Sequence, residues 1–256
     1  DKIGILGENG IGKTTFTKIL AGVVEPDDKK IDLKIKVAYK PQYLDNENEE
    51  LVMVLLQDAL QDYDIQLIRP LNIKPLLLKK INELSGGELQ RVAIIAALAK
   101  EADVIYLDDP SSFLDITHRI KVAKAIRKYC EFKAVIVIEH DLATLDYISD
   151  EIQIFYGEQA CYGVVSNTKS VRRGINEYLD GILADDNIRF RDYSIKFDRT
   201  ASDRTVKEDP VFEYGALEKE FDKFKLKVKE GIVSKGEVLT IMGGNGLGKS
   251  TFLKMI

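Results

Sequence analysis

The sequence is poor in the residues that build redox centres and metal clusters. Its 256 residues include two cysteines, two histidines and no tryptophan. The cysteines, Cys130 and Cys161, lie far apart and form no Cys-x-x-Cys pair. This spacing indicates neither a metal cluster nor a disulfide framework, and we expect both thiols to be reduced.

Long hydrophobic runs and a large excess of one charge are also missing. The longest apolar stretches, Val92–Ala99 and Ala134–Ile138, are far shorter than the roughly 20 residues that span a bilayer. No membrane segment is therefore predicted. The net charge of −5 argues against a globally basic nucleic-acid binder, although it leaves room for a local basic patch.

One glycine-rich motif, in contrast, occurs twice. Residues Gly7–Thr14 and Gly243–Ser250 both read Gly-x4-Gly-Lys-[Ser/Thr]. Each copy follows a short apolar run, 3–6 or 238–242, which we expect to be a strand, and each precedes a helix-like segment. Strand, loop and helix in this order are the context of a nucleotide phosphate-binding loop.

The motif suits phosphate for a physical reason. Its glycines let the backbone wrap around phosphate oxygens, the helix N-terminus attracts negative charge, and the lysine reaches the terminal phosphates. The final Thr or Ser hydroxyl is placed for Mg²⁺. The two copies predict a tandem nucleotide-binding protein. The predicted phosphate-binding residues are Gly7, Asn9, Gly10, Gly12, Lys13, Thr14 and Thr15 in the first loop, and Gly243, Asn245, Gly246, Gly248, Lys249, Ser250 and Thr251 in the second.

Residues 1–156 read as one α/β unit, in which apolar runs of strand length alternate with helical patterns. The predicted strands are 33–39, 104–107 and 134–138, and the predicted helices are 85–97 and 116–130. This alternation predicts a mainly parallel sheet that binds ligands at the carboxyl ends of its strands. Residues 49–82, which two prolines interrupt, predict a small helical insertion.

Two polar features of this unit lie next to predicted element ends. Gln42 follows the strand that ends near residue 39. Ser85, Gly86, Gly87 and Glu88 open a helix, with the serine as N-cap and the acid three residues later. A glycine-rich helix start of this kind can itself bind an anion.

Two further strands end in groups that are suited to phosphate chemistry. Asp108 and Asp109 end an apolar strand, where Asp108 can orient the Mg²⁺ shell and Asp109 can activate water. His140 ends the next buried strand, where a histidine can hold a γ-phosphate and the attacking water.

The character of the chain changes at about residue 157. A hinge or linker is predicted over 157–210, of which 200–210 is polar and nearly free of large apolar residues. A second domain begins at 211 and extends to 256, with an alternating strand at Phe224–Glu230. The hinge region carries several arginines, namely Arg172, Arg173, Arg189, Arg191 and Arg199.

The motifs, taken in this order, resemble those of ABC-type ATPases: Walker A, Q-loop, signature, Walker B, D-loop and switch histidine. Lys40–Tyr43, Leu84–Arg91, Pro110–Asp115, Glu139–Asp150 and the hinge stretch 162–191 resemble more closely one branch, the soluble E subfamily of twin-cassette ribosome-recycling factors. The resemblance implies a P-loop ABC nucleotide-binding domain with a mainly parallel sheet, a hinge segment and the start of a second such domain. Membrane transporters of the wider family have no such hinge.

The resemblance also implies a function and its site residues. The family binds and hydrolyses ATP with Mg²⁺ in ribosome splitting and recycling, in the cytoplasm and away from membranes. Its partners are the small ribosomal subunit, ribosomal RNA and translation release or recycling factors. Catalytic roles are implied for Gln42, Asp109 and His140, metal roles for Thr14, Gln42, Asp108 and Ser250, and a nucleotide-contacting role for Ser85, Gly86, Gly87 and Glu88, with the signature facing the nucleotide of the opposite cassette.

Some points depart from the family pattern or stay open. Asp109 stands where the family usually has Glu, so slower hydrolysis at the first site is expected. The family's iron–sulfur clusters are not encoded in this segment, and we expect the chain to be an internal fragment.

Either Phe221 or Phe224 is the expected adenine-stacking ring of the second cassette. The alternative functions are an ABC transporter ATP-binding subunit and a nucleotide-dependent scaffold with little turnover, and the hinge arginines form either a solvated face or an RNA contact.

Overall fold

A computed structural model describes residues 1–27, 35–42, 47–131, 133–196, 209–222 and 224–256. The chain divides into two compact units, Asp1–Lys196 and Phe197–Ile256. Among the described residues, no helix is both long and apolar enough to cross a membrane.

A mainly parallel sheet forms the centre of the first unit, as the sequence predicts. Its parallel strands are β1 (Lys2–Gly7), β2 (Val37–Lys40), β3 (Val104–Asp108), β4 (Ala134–Ile138) and β5 (Glu151–Glu158), in the spatial order β2-β3-β4-β1-β5. Two antiparallel strands, β6 (Tyr162–Val165) and β7 (Lys169–Ser170), pair with β5. A small hairpin follows, made of β8 (Ile182–Leu183) and β9 (Ile188–Arg189).

Helices connect the strands and cover the sheet. They are α1 (Lys13–Leu20), α2 (Val52–Leu55), α3 (Gln57–Asp62), α4 (Gly86–Ala99), α5 (Ile116–Tyr129), α6 (Leu142–Ile148) and α7 (Val171–Asp180). Between α3 and α4 lie one π-helical turn, Asp64–Ile68, and two 3-10 turns, Lys74–Leu76 and Ile81–Glu83. The helical insertion predicted at 49–82 is present as these short pieces.

The core lies between the sheet and the helices. Apolar side chains of α4, such as Ile95 and Leu98, pack in one cluster with Ile105 and Leu107 of β3. Each of these four side chains is at most 1% exposed, and burial of a side chain of this size stabilises the fold by about 1.5–3 kcal/mol. This packing fixes β3, whose carboxyl end carries the two candidate aspartates.

Two boundaries in the first unit differ from the sequence-based ones. The strand predicted at 33–39 begins only at Val37 as β2, and residues 33 and 34 lie outside the described residues. The first compact unit continues past residue 156 to Lys196, because β6, β7 and α7 all pack on β5. Most of the predicted linker, 200–208, lies outside the described residues.

In its described residues, 209–222 and 224–256, the second unit contains two separate strand pairs and one helix. Strand β10 (Pro210–Tyr214) pairs with β13 (Gly231–Ser234), and β11 (Leu217–Phe221) pairs with β12 (Phe224–Val228), both antiparallel. Helix α8 (Lys249–Met255) follows the second glycine-rich loop.

The strand predicted at 238–242 is wrong. These residues adopt no regular structure, and Val238 and Met242 are 90% and 75% exposed. The matching strand of the first unit, β1, is held between β4 and β5. Among the described residues of the second unit, no strand pairs with 238–242, so its apolar pattern is not enough to form a ladder.

Candidate functional site

The first glycine-rich loop joins β1 to α1 at the carboxyl edge of the sheet. Gly10 and Gly12 have φ values of 80° and 94°, in the left-handed region that glycine tolerates best. Gly12 is the N-cap of α1, so the N-terminal N–H groups of that helix face the loop. The Lys13 ammonium turns back into the loop and donates to the carbonyls of Gly7 at 2.7 Å and Glu8 at 2.6 Å.

The second loop has the same local geometry. Gly246 and Gly248 have φ values of 79° and 83°, and Gly248 caps α8. The Lys249 ammonium donates to the carbonyls of Gly243 at 2.8 Å and Gly244 at 2.7 Å. The two loops therefore share one conformation, although only the first is preceded by a paired strand.

The hydroxyl of Thr14 donates to the carboxylate of Asp108 at 2.9 Å, across 94 residues of sequence. Asp108, at the end of β3, is 2% exposed, and burial raises its pKa while the Thr14 hydrogen bond and the Lys40 charge oppose the shift. A hydroxyl and a carboxylate are the hard oxygen donors that Mg²⁺ prefers. Among the described residues, no group of three or more His, Cys, Asp or Glu side chains is arranged to hold a metal ion. The pair fits a magnesium ion that takes its remaining ligands from phosphate and water.

Lys40 is a site residue that the sequence reasoning missed. It ends β2, is 1% exposed, and donates to the main-chain carbonyls of Asp108 at 2.7 Å and Asp109 at 3.3 Å. Burial lowers its pKa to about 8, against the attraction of Asp108, Asp109 and Glu139. The available signal was its alternation with buried Ala38, which places both on the inner face of β2.

The Asp109 backbone is held in an unusual conformation. Its φ is 50°, a left-handed value in which Asp is several-fold more common than most side chains. The Asp109 carbonyl accepts from Gln90 Nε2 at 2.8 Å, from the Ser112 hydroxyl at 2.9 Å, and from Lys40. Gln90 lies on α4, so the helix that begins at the signature supports the turn that carries Asp109; the sequence reasoning missed this residue too.

His140 and Glu139 follow β4 next to this turn. Desolvation by the surrounding protein lowers the pKa of His140, and the positive charge of Lys13 adds to the effect, so the neutral imidazole is favoured. Burial raises the pKa of Glu139 and the charge of Asp109 adds to the shift, whereas the hydrogen bonds that its carboxylate accepts oppose it. The sequence reasoning singled out His140 and passed over its neighbour Glu139.

The predicted helix start at Ser85 is confirmed, and α4 runs from Gly86 to Ala99. The Ser85 hydroxyl oxygen accepts from the Glu88 N–H, and a Glu88 carboxylate oxygen accepts from the Ser85 N–H at 2.8 Å. Burial acts to raise the pKa of Glu88, but the hydrogen bonds from Ser85 and Lys79 outweigh it and hold the pKa below its usual value. Ser85 and Gly86 are exposed, which leaves this helix tip open.

The remaining predicted residues are placed as follows. Gln42 lies half-buried two residues beyond β2, at the edge of the sheet where Asp108 ends its strand. Ser250 is the second residue of α8, as Thr14 is of α1. Of the two aromatic candidates, Phe224 lies beside the second loop, since a Cβ added to Gly248 would come within 2.9 Å of its ring.

Arg191 is not a surface arginine. It is 8% exposed and donates to the carbonyls of Leu179 at 2.8 Å and Tyr193 at 3.0 Å. Its guanidinium also lies 5.4 Å from the centroid of the Tyr178 ring and 5.7 Å from that of Phe190. Neither the solvated-face nor the RNA-contact interpretation holds for this residue, because its charge is used inside the unit. Both interpretations stay open for Arg189, which is exposed.

Known proteins similar to this chain identify its family. Residues 1–112 match the family model described as ABC transporter. The chain is 38% identical over 294 residues to the translation initiation factor RLI1 of Saccharomyces cerevisiae, covering 99% of this chain and 48% of that protein. It is also 38% identical over 139 residues to ABC transporter E family member 3 of Arabidopsis thaliana, covering 50% of this chain and 77% of that protein.

Among solved structures, the chain is similar to an archaeal ribosome recycling factor, aABCE1, in complex with the ribosomal stalk protein aP1. The TM-score is 0.87 with 41% identity, over 99% of this chain and 55% of that one. The chain thus spans about half the length of the curated relatives that it matches over nearly all its residues. The mainly parallel sheet agrees with these matches, and the chain belongs to the E family of ABC-type ATPases.

Proposed function

We propose that this chain is part of an ATPase that binds ATP with Mg²⁺ at both glycine-rich loops and acts in ribosome splitting and recycling. The observation that carries the proposal is the shared conformation of the two loops, each closed by its own lysine. Two sites of one geometry in one chain fit a twin-cassette enzyme. The similarity to a ribosome recycling factor and to RLI1 supports the biological role.

The groups at the first site support the proposed reaction. Mg²⁺, when bound, would neutralise phosphate charge and orient the terminal phosphate. Thr14 and Asp108 would hold the ion, and Lys13 would bind the terminal phosphates once it leaves the carbonyls of its own loop. Asp109 would orient or deprotonate the attacking water, and Gln42 would complete the metal and water contacts.

His140 would act as a neutral hydrogen-bonding group. The desolvation that lowers its pKa removes a competing positive charge, so its ring can hold the attacking water or the γ-phosphate as donor or acceptor. Ser85, Gly86, Gly87 and Glu88 would contact nucleotide through the exposed tip of α4.

The proposed partners are the small ribosomal subunit, its RNA, and translation release or recycling factors, and the proposed compartment is the cytoplasm. The archaeal relative in the solved complex is bound to a ribosomal stalk protein, which supports a ribosomal setting. Arg189 is an exposed hinge arginine and is proposed as an RNA contact.

A nucleotide-dependent scaffold with little turnover is the second candidate, and Asp109 is the observation that favours it. Its carboxylate is one methylene shorter than the glutamate expected in the family, and misplacement of a reacting group by about 1 Å can reduce a rate by about 10²-fold. Binding of nucleotide does not need this side chain, so a scaffold would still bind nucleotide but would hydrolyse it very slowly.

The test is sedimentation of the purified full-length protein with isolated small ribosomal subunits. We expect co-sedimentation with a non-hydrolysable ATP analogue and much less with ADP. Phosphate release measured in parallel separates the ATPase from the scaffold. Absence of binding in both nucleotide states would reject the ribosomal role. A Lys13→Ala, Lys249→Ala double variant controls for non-specific binding that does not depend on nucleotide.

A further inference from the structure

Glu139 is a buried carboxylate to which the proposed mechanism assigns no task. It lies directly after β4, between the last residue of a buried strand and His140, and is 2% exposed. A buried carboxylate is costly unless its oxygens are satisfied, so its partners show what the side chain is for.

Its carboxylate accepts hydrogen bonds from main-chain N–H groups of two segments. One carboxylate oxygen, Oε2, accepts from Ser111 N–H at 3.1 Å, in the stretch that follows Asp109. The other, Oε1, accepts from His140 N–H at 2.9 Å and from Asp141 N–H at 3.1 Å. One side chain therefore bridges the segment after Asp109 and the peptide that carries the switch histidine.

The surrounding contacts show that this bridge fixes one segment relative to the other. The Asp109 N–H donates to the carbonyl of Ile138 at 2.9 Å, so the two strand ends are already adjacent. The Asp109 carbonyl is held from the other side by Lys40 and Gln90. Beyond Asp109, the Glu139 carboxylate joins Ser111 to the His140 peptide.

We propose that Glu139 is a positioning residue for ATP hydrolysis, which sets the place of His140 relative to the Asp109 turn through this bridge. The inference rests on the proposed ATPase function. Glu139 itself does not touch the nucleotide; it keeps two groups that do in one arrangement, so that a shift at the γ-phosphate sensed by His140 also reaches the segment after Asp109.

The test variant is Glu139→Gln, which keeps the size of the side chain. An amide has one carbonyl oxygen, so its NH₂ group must face an N–H donor at one end of the bridge, and one link is lost. We expect kcat for ATP to fall by about 10-fold to 100-fold, the range set by displacements near 1 Å. KM for ATP should change by less than about 3-fold, because Lys13, Thr14 and Asp108 keep their contacts.

A double-mutant cycle with His140→Ala tests whether Glu139 acts through the histidine. In the His140→Ala background, adding Glu139→Gln should reduce kcat by less than about 3-fold, since there is no ring left to misplace. Full multiplication of the two single effects would overturn the proposal. So would an unchanged kcat in Glu139→Gln alone.

Glu177→Gln is the matched control. Glu177 is 8% exposed and ion-paired with Lys169 and Arg173 on the α7 side of the unit. Its replacement should lower thermal stability and leave kcat within about 2-fold, which separates loss of a buried carboxylate from loss of this bridge.

The result also separates this inference from the proposed function. A wild-type protein that releases no phosphate rejects the ATPase and the positioning role together, whereas an active wild type with an equally active Glu139→Gln rejects only the positioning role. If Glu139→Gln does not fold, Glu139→Asp takes its place with the same expected outcome, because it keeps the charge and retracts the carboxylate by about 1.5 Å.

Discussion

Asp109 combines a short side chain with a left-handed backbone. A longer side chain at this position would favour activity but would strain the backbone. Asp is better tolerated than Glu at its φ of 50°, because its short polar chain can bond locally. A glutamate would reach further toward the attacking water. Activity and stability are therefore in competition at this single position.

We predict that Asp109→Glu raises kcat for ATP by about 10-fold or more, in keeping with the steep distance dependence of water activation. It should also lower the free energy of unfolding by about 1 kcal/mol through backbone strain. Single-turnover phosphate release and urea unfolding measure the two effects. An unchanged rate would show that the missing methylene does not limit hydrolysis.

Lys40 makes the folding stability of the protein depend on pH. Its folded pKa of about 8 lies below the ordinary value of 10.5, so between these pH values the unfolded chain binds more protons than the folded one. Stability from this group therefore rises as pH increases through that window, and its charge is most destabilising below pH 8.

Lys40→Met should remove this rise. Between pH 8.0 and 9.5 we expect wild type to gain on the order of 1 kcal/mol relative to the variant, measured by urea unfolding at both pH values. Lys36→Met, at a side chain that is 65% exposed, is the control and should keep the wild-type pH dependence. Parallel curves for wild type and Lys40→Met would contradict the buried, pKa-lowered lysine.

Single residues were predictable from sequence where their chemistry is local. Lys13 and Thr14 lie in one contiguous motif, which fixes their spacing and predicts their placement in the loop. Lys40 and Glu139 were missed because partners that define them lie 68 and 28 residues away, and only folding brings those main-chain groups to them. Before folding, a lysine at a strand end reads as a solvated side chain.

At the scale of elements, α4 depends on its first turn. Ser85 and Glu88 satisfy each other's main-chain N–H groups, and the same turn presents the exposed signature tip. Capping thus keeps the N–H groups of this tip ordered, as the proposed nucleotide contact would require.

Ser85→Ala should lower the free energy of unfolding by about 1 kcal/mol, the usual effect of removing an N-cap oxygen. The chain offers a matched control in Ser170, the N-cap of α7, whose side chain makes no capping hydrogen bond. Ser170→Ala should cost only a few tenths of that amount. Thermal or urea unfolding of the two variants side by side checks the difference, and equal losses would mean that the Ser85 cap is not stabilising α4.

Elements were predictable in proportion to how much of their stability is local. Helix α4 follows from its own cap and apolar spacing, and β3 and β4 follow from short buried runs. The wrong strand prediction at 238–242 has the same cause. Its sequence pattern is as strand-like as that of β1, but a strand forms only where a neighbouring strand pairs with it. The parallel sheet supplies them to β1 and no described strand supplies them to 238–242.

At the scale of the whole molecule, the two loops predict two nucleotides per chain. Lys13→Ala and Lys249→Ala should each reduce the stoichiometry of Mg-ATP from about two to about one, and the double variant should bind none, as measured by isothermal titration calorimetry on the full-length protein. Lys18→Ala, on α1 but outside the motif, is the control and should retain both sites. Retention of two nucleotides by either loop variant would contradict the twin-site interpretation.

The lysines that close these loops also restrict which ligands the loops can bind. Each ammonium already has two neutral carbonyl acceptors, which an incoming group must outcompete. A charged phosphate oxygen forms a hydrogen bond roughly twice as strong as a neutral one, so a polyphosphate wins the exchange. Adenosine and other uncharged nucleosides carry no phosphate, so they would leave both lysines bound to the carbonyls of their own loops, and the loops would discriminate by phosphate charge rather than by base.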